Sequence, residues 1–379
     1  MTTILVVAGE ASGDLHGGEI LHALKARRPD LRIVGVGGDR MSPFLDRKLA
    51  DVRDLGVVGF LEVVKHLPDI YHLKQRILGV AKDEGIHAAL FIDYPGFNLS
   101  LAKSLRKAVP VVRLHQYVCP QVWAWKKGRI PMLGRTLDAL YCLFDFEPEL
   151  FKGLPVEAIW VGNPLVETVH PEVDRETFLA ETGLDPARPL VALLPGSRQG
   201  ELERLLPPMA DLVRRWQTDR PEVQWVLPVA PTLSDGVVAG MLGKLPVLRV
   251  GAHRTYASRA YADAALVASG TATLETAILG TPFAIVYKLN PLTYAMAKRM
   301  VKLPHFGLAN VVAGREVAPE LVQAQVSAEG LAPILERLLA FGTRQPMAPD
   351  FADIRARLGE PGAAGRVAEH LLSKLPSTP

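Results

Sequence analysis

Short apolar, β-branched runs alternate along the chain with longer stretches in which apolar residues recur every three or four positions. The runs read as buried strands and the longer stretches as helices lying on a sheet. In the first half the pattern predicts strands at Ile4–Ala8, Arg32–Val36, Ala88–Ile92, Val109–Leu114, Ala139–Leu143 and Ala158–Val161. Helical patterns such as Gly18–Ala26 and Leu99–Lys107 lie between them. The pattern restarts after Pro171, with strands predicted at Leu190–Leu194, Gln224–Pro228, Val247–Val250, Ala265–Ala268 and Phe283–Val286. Such alternation predicts parallel β-α units, which bind ligands beyond the carboxyl ends of their strands. The expected fold class is α/β, with two Rossmann-like domains, 1–165 and 166–349, facing one cleft. The boundary falls in the turn-rich stretch from Gly162-Asn163-Pro164 to His170-Pro171. A helical tail, 350–379, is of the kind that often packs back on a first domain.

Composition narrows the class. A chain of 379 residues has room for about two domains. An apolar fraction of 49% with 22% charged residues excludes intrinsic disorder. The net charge of +3 is too small to point to nucleic acid. Two cysteines, Cys119 and Cys142, cannot build a disulfide framework or a four-cysteine zinc site, and they suit a reducing, cytoplasmic compartment. The first residues lack a basic leader and meet Glu10 after a short apolar run, which reads as a strand and not a signal peptide. The lightly charged stretch Ala264–Tyr287 is broken by Gly270, Glu275, Gly280 and Pro282, so it reads as strand, loop, helix and strand, not as a membrane span. The slightly positive mean hydropathy, +0.15, keeps open an apolar surface that touches a membrane.

Five segments carry candidate chemistry. Gly9 to Gly18 follows a strand and precedes a helix, so its N–H groups suit an anion; equally it is a tight turn capped by Ser12 or Asp14. Its spacing is not that of a dinucleotide fingerprint. In Phe91–Asn98 an apolar strand delivers Asp93 to its carboxyl end, where a carboxylate can take a proton from an attacking hydroxyl. The alternative is that Asp93 braces a type II turn over Tyr94-Pro95-Gly96-Phe97. Trp123 and Trp125 beside Lys126 and Lys127 fit either a substrate cradle or the core. Pro195-Gly196-Ser197-Arg198 sits between a strand and a helix starting near Gly200, and offers N–H groups and a guanidinium to a phosphate. Ser269-Gly270-Thr271 repeats that geometry, and Glu275, placed on the first helical turn, could take both hydroxyls of a ribose or complete a capping box. No Asp-x-Asp, His-Glu-x-x-His or Cys-x-x-Cys occurs, so no metal motif is found.

Taken in order, AGEASGD at 8–14, VGVGGDRM at 34–41, LGVVGFLEVV at 55–64, FIDYPGFN at 91–98, YVCPQVWAW at 117–125, LLPGSRQGELE at 193–203, ASGTATLE at 268–275 and NVVAGRE at 310–316 resemble the bacterial lipid-A-disaccharide synthases over about residues 4–320. The resemblance implies the GT-B fold and an inverting, metal-independent glycosyltransferase. It would move 2,3-diacylglucosamine from its UDP ester to the 6-hydroxyl of 2,3-diacylglucosamine 1-phosphate. It implies Asp93 as general base and Arg198 as the group that stabilises the leaving diphosphate. Among the nucleotide-sugar-binding residues, Gly196 and Ser197 would line the site, Ser269, Gly270 and Thr271 would meet the diphosphate, Glu275 the ribose, and Asn310 would lie near the sugar. Glu10, Ser12 and Asp14 would hold the acceptor. Three positions depart from the family pattern: Gly96 replaces a carboxylate, Asn163 a histidine and Cys119 a serine. A UDP-sugar 2-epimerase of the same architecture is the runner-up, and a non-catalytic nucleotide-sugar sensor a weaker third.

The implied partners are the two acylated sugars and the cytoplasmic face of a membrane, with a homodimer left open, nucleic acid excluded and no cofactor. The segment 57–77 is the first candidate for membrane contact. Phe60, Val63, Val64 and Leu67 recur at helical spacing, Ile70, Leu73 and Ile77 continue it, and Leu61 and Tyr71 lie off the stripe. The second is 294–303, where Met296, Met300, Val301 and Leu303 alternate with Lys298, Arg299 and Lys302. Both also fit ordinary amphipathic core helices.

Overall fold

In the computed structural model, residues 2–55, 67–125, 127–291, 293–294, 304–340 and 347–376 are described. The chain divides into two compact units, one of residues 1–164 with 359–379 and one of 165–358. The segment 350–379 is therefore divided: the Ala348–Leu358 helix belongs to the second unit and the Ala363–Ser373 helix to the first.

The first unit holds a seven-stranded sheet in the order β3-β2-β1-β4-β5-β6-β7. Its strands are β1 (Thr3–Ala8), β2 (Arg32–Val36), β3 (Arg47–Ala50), β4 (Ala88–Ile92), β5 (Arg113–Tyr117), β6 (Ala139–Cys142) and β7 (Glu157–Trp160). Every pairing is parallel. β1 and β4 are fully buried, which explains why they read as unbroken apolar runs. Apolar clusters cover both faces. On one, the Ala11–Arg27 helix packs against the Ala363–Ser373 helix, whose Val367, Ala368 and Leu371 are buried.

The second unit holds a six-stranded sheet in the order β10-β9-β8-β11-β12-β13. Its strands are β8 (Leu190–Leu194), β9 (Gln224–Pro228), β10 (Val247–Val250), β11 (Ala264–Ala268), β12 (Phe283–Tyr287) and β13 (Glu320–Val322), again all parallel. In both sheets the strand order reverses once between neighbours, at β1/β4 and at β8/β11. At such a switch point the two connections leave in opposite directions and open a crevice for ligands.

Several local expectations are corrected. The strand expected at Val109–Leu114 begins at Arg113 and runs to Tyr117, because Val109 closes the preceding helix and Pro110 has no N–H for a ladder. The helix expected at Gly18 begins at Ala11, so most of the supposed glycine-rich loop is helical. Tyr94–Phe97 is not a type II turn: Pro95 is the first residue of a helix running to Ala108, a position its fixed φ suits. Two edge strands, β3 and β13, escape the hydrophobic pattern, since one is largely polar and the other has only three residues.

Candidate active site

At the first switch point, β1 and β4 run in register to Ala8 and Ile92, so the residues that follow emerge side by side. Gly9 is required here: a Cβ would collide with the Tyr94 ring. Glu10 follows as the N-terminal cap of the Ala11–Arg27 helix and accepts the Ser12 hydroxyl at 3.2 Å. Asp93 follows β4. Its carboxyl lies near that of Glu10. Burial first, then the Glu10 charge, raises the Asp93 carboxyl above its ordinary range; the Tyr94 N–H and the nearby His16 act the other way. Asp93 and Tyr94 both take left-handed backbone, φ 47° and 46°, which costs a residue with a Cβ roughly 1–3 kcal/mol.

At the second switch point, Leu194 pairs with Val267, so the loops after β8 and β11 also emerge together. Pro195–Arg198 leads into the Gln199–Asp219 helix, and Ser269–Gly270 into the Thr271–Ile278 helix. Gly196 has φ 108°, and Gly270 has φ 150° with ψ −160°, a region open essentially to glycine. Both helix starts border one cavity of about 360 Å³, lined by these loops together with Glu201, Arg259 and Glu275. The Arg198 side chain is 82% exposed and meets Glu201 Oε1 at 3.1 Å. Glu201 also accepts the Ser197 and Arg198 N–H groups at 3.1 and 3.4 Å, occupying the end of the helix dipole with a carboxylate. Ser269 donates its hydroxyl to the Phe306 carbonyl at 2.8 Å, and Thr271 is exposed.

Glu275 lies on the second turn of its helix, not the first. Its carboxylate is held by Arg259, a buried residue of the Thr255–Ala260 helix that the sequence reading missed. Arg259 also stacks over Tyr256, and its Nε is buried without a partner beside the cavity.

Two named residues turn out to be spent inside the protein. Asp14 is buried, and its oxygens accept the N–H groups of Gly38, Arg40 and Met41 at 2.6–3.1 Å, so it ties the loop after β2 and neither caps the helix nor faces solvent. Asn310 is fully buried: its amide donates to Ala318 and Glu320, and its oxygen accepts from Val317 and Ala318. That uses the full capacity of the side chain, leaving nothing for a sugar. Trp123 is a core residue, donating its indole N–H to Glu147 at 3.0 Å.

Among the described residues, one group of potential metal ligands has its atoms within 4.8 Å: Cys119, Cys142 and Glu147. The contact with Cys142, followed by burial, pushes the Cys119 thiol far up, and burial moves Glu147 up to about 7. Three N–H groups already occupy the Glu147 oxygens. A thiol held neutral beside a spoken-for carboxylate packs well and coordinates poorly. At Gly96 a Cβ would meet nothing within 4 Å, so the carboxylate missing there is not excluded by space.

Of the residues expected at a membrane, Leu61 and Val64 lie outside the described residues, as does 295–303 of the second segment. The described helix is Leu67–Asp83, on which Ile70 and Leu73 pack against the core while Tyr71 is 58% exposed. Among the described residues no helix is long and apolar enough to cross a membrane.

A lipid-A-disaccharide synthase of Anaeromyxobacter dehalogenans is 41% identical over 373 residues, covering 97% of this chain and 96% of its own. The glycotransferase of kitacinnamycin superposes with a TM-score of 0.64 at 15% identity, over 99% of both chains. A UDP-GlcNAc 2-epimerase of Neisseria meningitidis bound to UDP-GlcNAc gives 0.59 at 11%, over 98% of this chain and 100% of that one. The last two likenesses establish the fold they share and leave the epimerase a distant neighbour. The family model described as lipid-A-disaccharide synthetase matches residues 4–352, and the chain belongs to that family of glycosyltransferases.

Proposed function

We propose that this protein joins two acylated glucosamines, transferring 2,3-diacylglucosamine from UDP to the 6-hydroxyl of 2,3-diacylglucosamine 1-phosphate. Asp93 takes the proton of that hydroxyl as its oxygen attacks the anomeric carbon. The bond from that carbon to the diphosphate oxygen breaks, UDP leaves, and attack from the opposite face inverts the anomeric centre. The observation that carries this reading is the Asp93 carboxylate at the first switch point, raised in basicity by burial and by Glu10. In the second unit, the Gly196–Arg198 and Ser269–Thr271 loops receive the diphosphate. Arg198, largely exposed, leaves Glu201 and closes on it. Two helix N-termini and a guanidinium supply the charge stabilisation that other transferases obtain from a metal ion, so the reaction proceeds without one. Glu275 takes the ribose hydroxyls, and Glu10 and Ser12 meet the acceptor. The acylated substrates bring the protein to the inner face of the cytoplasmic membrane, with Tyr71 among the contacts.

The test is direct. The protein is incubated with UDP-diacylglucosamine and diacylglucosamine 1-phosphate, and the disaccharide 1-phosphate is sought by mass spectrometry. Formation of the β-1,6 product in the presence of EDTA is expected. Loss of activity in EDTA, restored by a divalent ion, would overturn the metal-free mechanism, and C2 epimerisation of the donor without transfer would overturn the reaction.

A further inference from the structure

Two buried amides meet at the backbone of Asp93. The Asn98 Nδ2 group donates to the Asp93 carbonyl at 2.8 Å and lies 3.2 and 3.4 Å from the carbonyls of Ile92 and Val7. The Gln116 Nε2 group donates to the same Asp93 carbonyl at 3.2 Å, to Tyr117 at 3.1 Å and to Val118 at 3.4 Å. Both side chains are 0% exposed. What they join is strained. Asp93 and Tyr94 at the end of β4 are left-handed, and so is Val118 just beyond the end of β5, with φ 68°. A β-branched residue in that region is a genuine outlier. The ladder between the two strands continues through the Asp93 N–H, which donates to the Tyr117 carbonyl at 2.8 Å.

Packing does not explain the choice of amides. The Asn98 Oδ1 and Gln116 Oε1 atoms are buried without partners, a burden an apolar side chain of the same shape would not carry. The donors, in contrast, are fully used, and all on carbonyls at the two strained corners and the end of β1. The retained feature is therefore the N–H groups and what they hold.

We propose that Asn98 and Gln116 are positioning residues for Asp93, clamping its carbonyl so that the left-handed corner keeps its carboxyl beside Glu10. The inference rests on the reading of Asp93 as the base. With the clamp removed, the corner relaxes toward ordinary backbone and the carboxyl moves from its place. A displacement on the order of 1 Å at a reacting group costs up to about a hundredfold in rate.

The experiment uses Gln116→Met and Asn98→Leu, close in shape and without donors, alone and combined with Asp93→Asn. Each single variant is expected to lower kcat about ten- to a hundredfold while the affinity for UDP stays unchanged. In the Asp93→Asn background the same changes are expected to have no further effect on rate, since they act through that carboxylate. The acid limb of the kcat/KM profile is expected to move to lower pH, because a relaxed Asp93 is better hydrated and further from Glu10. The titratable neighbours here are Glu10, His16 and Tyr94. Gln116→Asn, which keeps a shorter donor, tests the same point if Gln116→Met does not fold, and is expected to retain more activity than Gln116→Ala. Wild-type kcat and an unmoved acid limb in a folded Gln116→Met protein would overturn the proposal. So would losses that multiply with Asp93→Asn, or equal activity in Gln116→Asn and Gln116→Ala. Near-normal turnover of Asp93→Asn alone would instead remove the base reading.

Discussion

At the end of β4 two residues with side chains take left-handed backbone, two buried amides bond the carbonyl of one of them, Asp93, and the Asp93 side chain is partly buried. At the ends of β8 and β11 the positive φ angles belong to Gly196 and Gly270, and the Arg198 guanidinium stands in solvent. The topology of the two switch points is the same, yet one is built tight and the other open. The difference matches what the two proposed roles would require. A base must sit within hydrogen-bond reach of one proton, and its pKa depends on its hydration, so its backbone has to be fixed before substrate arrives. A diphosphate brings its own charge and pulls flexible cations onto itself, so its loops need N–H groups and room more than rigidity.

The largest effect expected from breaking the tight side is on rate. Asp93→Asn removes the proposed proton acceptor and is expected to slow turnover by roughly a hundredfold or more. Asparagine tolerates left-handed backbone at least as well as aspartate, so the corner should survive. Stability should rise at neutral pH. The Asp93 carboxyl is raised above its unfolded value by burial and by Glu10. Its favourable contribution is therefore complete below the unfolded carboxyl pKa and lost as pH rises through the folded one. The melting temperature of the variant should match that of the parent at low pH and exceed it above. A variant both slow and less stable at pH 7.5 would show that the carboxylate supports the fold.

On the open side, Arg198→Ala is expected to cost about 3 kcal/mol of transition-state stabilisation, comparable to the loss of a preorganised oxyanion donor. Because the guanidinium is exposed and its ion pair with Glu201 lies within a single helix turn, the melting temperature should hardly change. A marked loss of stability with Arg198→Ala would mean that the second switch point is as prestressed as the first, and the contrast would fall.

These two sides were unequally legible in the sequence. The geometry of the proposed anion loops is legible, because a strand, a glycine and a helix start are adjacent in the chain and the glycine is needed for its φ. Asp93 is legible for the same reason, standing at the end of an apolar run. The clamp is not. Asn98 and Gln116 lie on different elements, act on backbone, and acquire meaning only once β4 and β5 are in register. Arg259 is hidden in the same way, on a short helix 16 residues before the Glu275 it holds. Asp14 and Asn310 were misplaced because a motif records that a residue is needed without saying whether it faces a ligand or its own backbone.

Arg259 offers a finer comparison, since it is a fixed element on the open side. If it sets the orientation of Glu275 for a ribose, Arg259→Met should weaken UDP binding and reduce discrimination against 2′-deoxy-UDP. The expected change is up to about tenfold, the worth of one charge-assisted hydrogen bond. Isothermal titration with the two nucleotides measures both. An unchanged ratio with weakened binding of both would mean that Arg259 acts on the diphosphate or the base and not through Glu275.

The smallest expected effect concerns the surface of the first unit proposed to meet a membrane. On the Leu67–Asp83 helix, Ile70 and Leu73 turn toward the core and Tyr71 projects beside His72, with Lys74 one turn on. An aromatic ring with a polar tip, flanked by a cation, suits the interface of an anionic bilayer. Burying one such ring stabilises binding by on the order of 1 kcal/mol, so Tyr71→Ser should weaken association with anionic vesicles about fivefold. Because more than half of the residue is already exposed, the melting temperature should move by a degree or less. Activity on short-chain, micelle-free substrates should be unchanged, while activity on vesicle-embedded acceptor falls with the binding. A variant that loses stability but still binds vesicles normally would return Tyr71 to the core and leave the membrane contact to another part of the chain.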